Sequence, residues 1–424
     1  MTPNRNMASL INIKELFTPN ISNNLVSKTK GDRVIWGIVV ILTLISLLVV
    51  YSSTGSLAYK YSKSTESFLF KQFAFIILGL LVIYFAHRVN YTLYARVAKI
   101  LFLISIPLLI YTYFFGAKIN DGSRWIKLPV INMTFQTSDM AKLALFMYLS
   151  LQLSRKQNVI KDFKKGFLPI IIPVAIICML IAPANLSTAL LVGATSFMLM
   201  FIGRVNTKHI LISMGIALIP IMFLYILAVT TYDTKAHKAK DLPAIFDMGR
   251  VKTWVGRIQT FKYSNKEDEG DEKTYQINQA KIAIANGGWL GKGPGNSEAR
   301  NFLPHSYSDF IYAIIIEEYG LFGAAFMIFI YLLFLYRCIR LYRKCPFAFG
   351  AFLALALSFT LVIQAIANMG VAVNAFPNTG VTLPLVSMGG SSFLFTCLSI
   401  GIILSVARNV EQLEGKTKLA EVNE

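Results

Sequence analysis

Apolar residues along this chain gather into ten runs, each close to the 20 or so residues that carry a helix across a roughly 30 Å hydrocarbon core, and polar residues collect between them. The runs lie at about 35–53, 69–87, 99–116, 138–154, 167–183, 186–203, 208–230, 308–336, 347–372 and 384–407. The pattern predicts an all-α polytopic membrane protein with about ten transmembrane helices. Residues 1–34 and 408–424 read as polar tails, and 35–407 as the membrane domain, interrupted by one large extracytoplasmic loop at 231–307. Within that loop Lys262–Lys273 is densely charged, the mark of a solvated segment, and its acidic run from Glu267 to Glu272 has no rigid neighbour that would make it a metal site. Ile277, Ala280 and Ile284 then recur at the spacing of one helix face, which predicts a short interfacial helix.

Composition agrees with a membrane protein. The chain of 424 residues is 55% hydrophobic and 15% charged, against about 25% charged for an average soluble domain, which excludes an ordinary soluble enzyme. A net charge of +19 raises nucleic acid as a partner, but the positive residues sit between apolar runs, so membrane lipid is the expected partner and nucleic acid is not. Lysine and arginine favour one set of alternating loops, through Arg88, Arg96, Arg155, Lys156, Lys164, Arg204, Lys208, Arg337, Arg343 and Arg408, together with both tails. Positive loops stay in the cytoplasm, so a cytoplasmic (inner) membrane protein with both termini cytoplasmic is expected. The polar first 33 residues lack a signal-peptide core, and the first run should remain as an anchor. Four cysteines without ligand-like spacing, and four scattered histidines, predict neither a disulfide framework nor a metal site.

Ionisable residues inside such runs are costly and are candidate functional groups. Asp309, Glu317 and Glu318 fall on the eighth run, and Asp139 and Lys142 on the fourth. Asp309 opens its run from the outer face and is the candidate catalytic group. Glu318 lies nine residues on, about 13 Å along a helix, and reads with Glu317 and Asp139 as a structural partner. Ser138 is expected to cap the fourth helix, with Asp139 in its first turn. Arg124 and Lys142 remain as two cations flanking the outer mouth, suited to a phosphate-bearing substrate. Asn286–Gly295 contains Gly-x-Gly-x-Gly without the strand that a dinucleotide site requires; a turn-rich substrate loop with its backbone close to a ligand is expected instead. Breakers at Pro377-Asn378-Thr379-Gly380, Leu383-Pro384 and Ser387–Ser392 predict a re-entrant turn near membrane depth. Close helix packing through small residues is the alternative for Gly389 and Gly390.

With these motifs the chain resembles the SEDS family (shape, elongation, division and sporulation) of peptidoglycan polymerases, over almost its whole length. The resemblance is carried by Asn368, Asn374-Ala375, Pro377, Thr379-Gly380 and Leu383–Ser391 near the end. The large loop and the helix after it contribute Arg257, Tyr275-Gln276, Gly287-Gly288, Gly291, Gly293, Leu303-Pro304, Ser308-Asp309-Phe310, Glu317-Glu318 and Gly320, and the fourth helix Arg124-Trp125, Gln136, Ser138 and Lys142. Tyr307 stands where the family commonly has histidine, and Asn374 where it commonly has glycine. The resemblance implies a peptidoglycan glycosyltransferase that polymerises lipid II, an undecaprenyl-pyrophosphate-linked disaccharide peptide, during cell division. It further implies Asp309 as general base, and Arg124, Lys142, Arg257, Gln276, Ser387, Gly389 and Gly390 as substrate contacts. No cofactor is expected with certainty, a divalent cation being the one candidate. The implied partners are a class B penicillin-binding protein transpeptidase and other division proteins. A lipid II flippase and an elongation-type polymerase are the competing readings; the flippase would need polar groups along a whole transbilayer path, whereas these motifs gather at the outer mouth.

Overall fold

The computed structural model describes residues 31–54, 65–119, 122–128, 133–233, 238–239, 250–263, 272–303 and 306–423. Ten of its helices follow the ten expected runs: α1 (Arg33–Ser53), α2 (Thr65–Arg88), α3 (Tyr91–Phe115), α4 (Thr137–Arg155), α5 (Leu168–Ile181), α6 (Leu186–Ile202), α7 (Thr207–Thr230), α10 (Ile311–Lys344), α11 (Ala348–Ala372) and α12 (Gly390–Asn423). Between α7 and α10 lie α8 (Val251–Tyr263) and α9 (Glu272–Gly287). Eight of the ten helices are long and apolar enough to cross a membrane by those criteria alone. The other two fall short for local reasons: α6 has only 17 residues, and α4 carries Asp139, Lys142 and Arg155. Helix α3 begins eight residues before the expected run, in a stretch that carries Arg96.

Helix α11 is the axis of the bundle. Burial along its apolar stretch reaches 83%, against 11% for the peripheral α7, and α10, α4, α6 and α12 pack around it. Helices α2 and α12 approach closely through glycine: a Cβ at Gly401 would stand 2.6 Å from that of Ala86, and one at Gly79 would stand 2.6 Å from Cys397 Sγ. Small residues permit this closeness, which gains dispersion where no hydrophobic drive exists between helices in lipid. The four cysteines are free.

Two features depart from expectation. The segment between α3 and α4 is a small antiparallel sheet, β1 (Ala117–Ile119), β2 (Gly122–Leu128) and β3 (Met133–Gln136), with Trp125 opposite Gln136. Because β3 runs directly into α4, Gln136 takes the N-cap position and Ser138 lies inside the first turn, accepting from Gln136 Nε2 at 3.0 Å. The expected Ser138 cap is therefore displaced by two residues.

The glycine-rich segment after α9 is the second. Helix α10 is interrupted at Gly320, whose φ of 66° and ψ of −166° expose backbone groups in mid-helix. Residues 288–293 supply the missing partners: Lys292 and Gly293 N–H donate to the carbonyls of Glu317 and Glu318 (2.9 Å each), and Leu321 N–H donates to Gly288 O (3.0 Å). The close approach predicted for this segment is found at Gly287 and Gly291, and its object there is the backbone of α10. A Cβ at Gly291 would meet Glu318 O at 2.2 Å, and one at Gly320 would meet Trp289 O at 2.2 Å. Gly320→Ala combines this clash with a left-handed φ, and each of the two effects costs about 1–3 kcal/mol. Its melting temperature in detergent should fall by several degrees, whereas Gly215→Ala, with open space around its Cβ position, should melt like the parent.

Candidate active site

Asp309 stands in the turn that leads into α10, and three donors hold the backbone around it. Asn368 Nδ2, from α11, donates to Asp309 O (3.0 Å) and Val381 O (2.7 Å). Ser387 Oγ donates to Ser308 O (2.6 Å) while accepting from Leu383 N–H (2.8 Å). Met388 N–H donates to Tyr307 O (3.0 Å). Both polar side chains are buried. The segment supplying these bonds, 373–389, is non-helical and returns into the bundle with Leu383, Leu385 and Val386 buried. Such backbone survives at depth only where protein groups satisfy it. Asn374 adopts φ 56°, a left-handed conformation that glycine takes freely and asparagine tolerates, which accounts for asparagine at a position where the family commonly has glycine.

Gly380 lies where the carboxylate and a cation meet. A Cβ there would stand 3.7 Å from Asp309 Oδ2 and 4.0 Å from Arg257 Nη2, so both side chains close over this glycine, which has φ 61°. Arg257 comes from α8. That helix is fixed to the end of α7 by Gln259 Nε2, which donates to Ala228 O (3.0 Å) and Thr231 Oγ1 (3.1 Å), and by the stacking of Tyr263 on Tyr232 at 3.9 Å. Arg124 arrives from β2, with Nε donating to Ala184 O (2.7 Å).

Arg250 completes the cluster. It stands seven residues before Arg257, two turns away on the same face of α8 and the residue before it. Arg124 and Arg257 both feel Arg250 as a repelling charge and Asp309 as an attracting one. Burial is the larger influence on each: it lowers the Arg257 guanidinium, and with the neighbouring arginines it brings Arg124 down to about 10. At pH 7 Arg124 remains a cation. Among the described residues, three guanidinium groups around one carboxylate leave the mouth net positive and crowded. Thr379, beside Gly380, adds a buried hydroxyl with no hydrogen-bond partner among the described residues.

The other sequence candidates fall elsewhere. Lys142 does not flank the mouth as a bare cation: it pairs with Asp139 at 2.7 Å and lines a separate cleft with Gln364, Ser392 and Thr396 between α4, α11 and α12. Ser387 spends its hydroxyl on two backbone groups and is 2% exposed, so it positions the Asp309 turn and has no hydroxyl to offer a substrate. Gly389 and Gly390 start α12 with nothing closer than 3.9 Å to a Cβ position; the next residue, Ser391, accepts from Gln136 N–H at 3.0 Å and joins β3 to α12. Neither close helix packing nor contact with Asp309 accounts for these two glycines. Gln276 is buried on the same side of α9 as Ile277, Ala280 and Ala283, and no described contact brings it to Asp309.

Glu317 accepts from Ser297 Oγ and from the N–H groups of Glu298 and Ala299 (both 3.2 Å), with Lys292 Nζ 3.6 Å away. Glu318 accepts from Ser52 Oγ. The pair ties the outer loop and α1 to α10 below the mouth. Among the described residues no group of three His, Cys, Asp or Glu side chains could hold a metal ion, and one carboxylate among three guanidinium groups suits an anion, not a divalent cation.

Arg250, Gly380 and Asn368 were missing from the sequence candidates. The Arg250-x6-Arg257 spacing was a usable signal for the first; the other two belong to the motif near the end of the chain, whose spatial neighbour only the fold reveals. Asn368→Ala should strip the donor from Asp309 O, cost about 1–3 kcal/mol and raise amide exchange across 309–313. Unchanged exchange there would remove Asn368 as the holder of this turn.

Over residues 32–412 the chain matches the profile of the FtsW, RodA and SpoVE family, described as "Cell cycle protein". It is 31% identical over 396 residues to the "Probable peptidoglycan glycosyltransferase FtsW" of Geobacter metallireducens, covering 92% of this chain and 98% of that one. Its identity to the protein of the same description from Haemophilus influenzae is 30% over 384 residues, covering 88% and 90%. The fold is similar to a chain from a solved structure on structural coordination of polymerization and crosslinking by a peptidoglycan synthase complex (TM-score 0.67, 23% identity, 90% and 99% covered). It is also similar to the rod shape determining protein RodA of Thermus thermophilus (TM-score 0.60, 21% identity, 89% and 97% covered). A profile match of this extent, together with relatives of this identity along nearly their whole length, makes the chain a member of the FtsW, RodA and SpoVE family, the SEDS proteins.

Proposed function

We propose that this protein is a peptidoglycan glycosyltransferase that polymerises lipid II into glycan strands at the outer face of the cytoplasmic membrane during cell division, with Asp309 as general base. The observation that carries this reading is the closure of Asp309 and Arg257 over Gly380, with Arg124 and Arg250 in electrostatic reach. The activity agrees with the description of the curated relatives, and the division role with their common designation FtsW. In the reaction an acceptor sugar hydroxyl attacks the donor's anomeric carbon. Its proton passes to the Asp309 carboxylate as the new C–O bond forms. The bond from the anomeric carbon to the lipid pyrophosphate breaks, and the electron pair leaves with the pyrophosphate oxygen. Cations aimed at developing charge are the strongest electrostatic aid a site can give, and Arg124, Arg250 and Arg257 fill that role. No step is assigned to a metal.

The same reading places both termini in the cytoplasm, from the lysine and arginine asymmetry, and takes a class B penicillin-binding protein as the crosslinking partner. A flippase needs polar groups along its whole path, and the concentration of charge around Asp309 favours the enzyme.

Asp309→Asn preserves shape and an acceptor oxygen but removes the base, a change that commonly costs about 10²- to 10⁴-fold in rate. Polymer formation from purified lipid II should fall to near background while detergent melting stays that of the parent. Activity within a few-fold of wild type would return the base to an unknown residue. Arg250→Gln and Arg257→Gln should each weaken use of lipid II by about 10- to 100-fold with little change in melting, since each removes one desolvated phosphate donor. For orientation, a cysteine replacing exposed Asn296 should react with an impermeant thiol reagent on intact spheroplasts, and one replacing exposed Asn158 should not; the reverse labelling would place the site on the wrong side for lipid II polymerisation.

A further inference from the structure

Three buried polar atoms without a hydrogen-bond partner among the described residues lie near one another at the opposite end of the bundle, where α1 begins, α2 ends and α12 leaves the core: Trp36 Nε1, His87 Nε2 and Arg408 Nε. The Trp36 and His87 rings meet edge to face at 5.5 Å, and His87 lies within electrostatic reach of Arg408 and Arg88. His87 is fully buried, with Nδ1 2.6 Å from Tyr84 O. A carbonyl can only accept, so Nδ1 carries a proton and Nε2 is the unused nitrogen. Trp36 Nε1 and Arg408 Nε are donors only. His87 Nε2, unprotonated while Nδ1 donates, can only accept, so the unused N–H groups of this corner are those of Trp36 and Arg408.

The corner also holds a surplus of positive charge. Arg88 sits over the Tyr84 ring at 5.6 Å and repels Arg408. The acids on the adjoining segments are engaged elsewhere. Asp32 caps α1 and pairs with Arg337 at 2.6 Å, and Glu411 accepts from Gly31 N–H at 2.6 Å. Tyr94 donates its hydroxyl to Ala86 O. No ion pair among the described residues includes Arg88 or Arg408. Two guanidinium groups and unused buried donors describe the inverse of a phosphate's oxygens.

The surface of α2 says where that phosphate would come from. Leu78, Leu81 and Phe85 are exposed, Phe85 to 64%. Their spacing, continued to exposed Arg88, follows one face of the helix. An apolar stripe facing lipid therefore ends in an arginine beside the donor cluster, at the helix end where headgroups lie.

We propose that this corner binds the phosphodiester of an anionic phospholipid, with its acyl chains along Leu78, Leu81 and Phe85 and its phosphate at Arg88, Arg408 and Trp36. The proposal is independent of the glycosyltransferase reading. The full chain, purified in detergent, would be supplied with micelles containing phosphatidylglycerol or phosphatidylcholine, and retained lipid would be counted by native mass spectrometry alongside melting. Wild type should retain phosphatidylglycerol preferentially and melt higher with it. Exposed Arg88→Gln should weaken retention about fivefold, the value of one basic residue near an anionic surface, and Trp36→Phe, which deletes only the N–H and little volume, should weaken it further in combination. Lys208→Gln, an exposed basic residue at the start of α7, should not. Equal retention by the Arg88 and Trp36 variants, or equal loss on Lys208→Gln, would overturn the site. Stabilisation by inorganic phosphate with none by phosphatidylglycerol would overturn its lipid source.

Discussion

The carbonyl groups of Tyr307, Ser308 and Asp309 cannot stay bare inside a membrane bundle, and the donors that reach them decide where the carboxylate stands. All three come from the last part of the membrane domain: Asn368 on α11, and Ser387 and Met388 on the re-entrant segment. An unsatisfied buried backbone group costs several kcal/mol in lipid, so the turn and the segment stabilise each other and neither is free to move alone. Helix α11 makes this rigid. It is predominantly apolar and surrounded by other helices, as expected for a central helix, and Asn368 projects from a place that packing has already fixed.

Below the mouth a second set of backbone bonds holds α10. Breaking the helix at Gly320 releases polar groups that the 288–293 segment takes up, while Glu317 gathers the loop at 297–299 and Glu318 reaches Ser52 on α1. The outer loop is thereby anchored to the helix that carries Asp309, and α8, tied to α7, delivers Arg250 and Arg257 from the other side. The carboxylate stands on a doubly clamped turn and two of the arginines on a helix attached to the periphery of the bundle.

How much of this was legible in the sequence depends on how local the signal was. Ten apolar runs gave the helices because bilayer thickness imposes length on each run separately, and even α4 and α6 were visible as runs. The breakers between Pro377 and Ser392 announced the re-entrant segment for the same reason. The β1–β3 sheet stayed hidden: strands of three to seven residues leave no periodicity to read beside a helix start. The glycines at 287–293 revealed close approach but could not reveal the object of that approach, which is Gly320 and its neighbours. Lys142 looked like a free cation because sequence shows charge but not the rotamer that turns it onto Asp139. Arg250 was lost because the charged, polar loop around it drew attention away from the amphipathic helix that it precedes.

The electrostatics of the mouth make sense only with a ligand in view. Arg124 and Arg257 have given up part of their hydration and are further disfavoured by their guanidinium neighbours, with Asp309 as the one offsetting carboxylate among the described residues. Evolution for stability alone would replace one of these arginines with a neutral residue, since crowding like charges in a poorly hydrated site gains nothing for the fold. A dianionic leaving group changes the balance: it offsets the excess charge that Asp309 cannot, and its charge grows as the glycosidic bond breaks, so the interaction is strongest where catalysis needs it. The feature that costs the mouth stability is the one that equips it for phosphate departure.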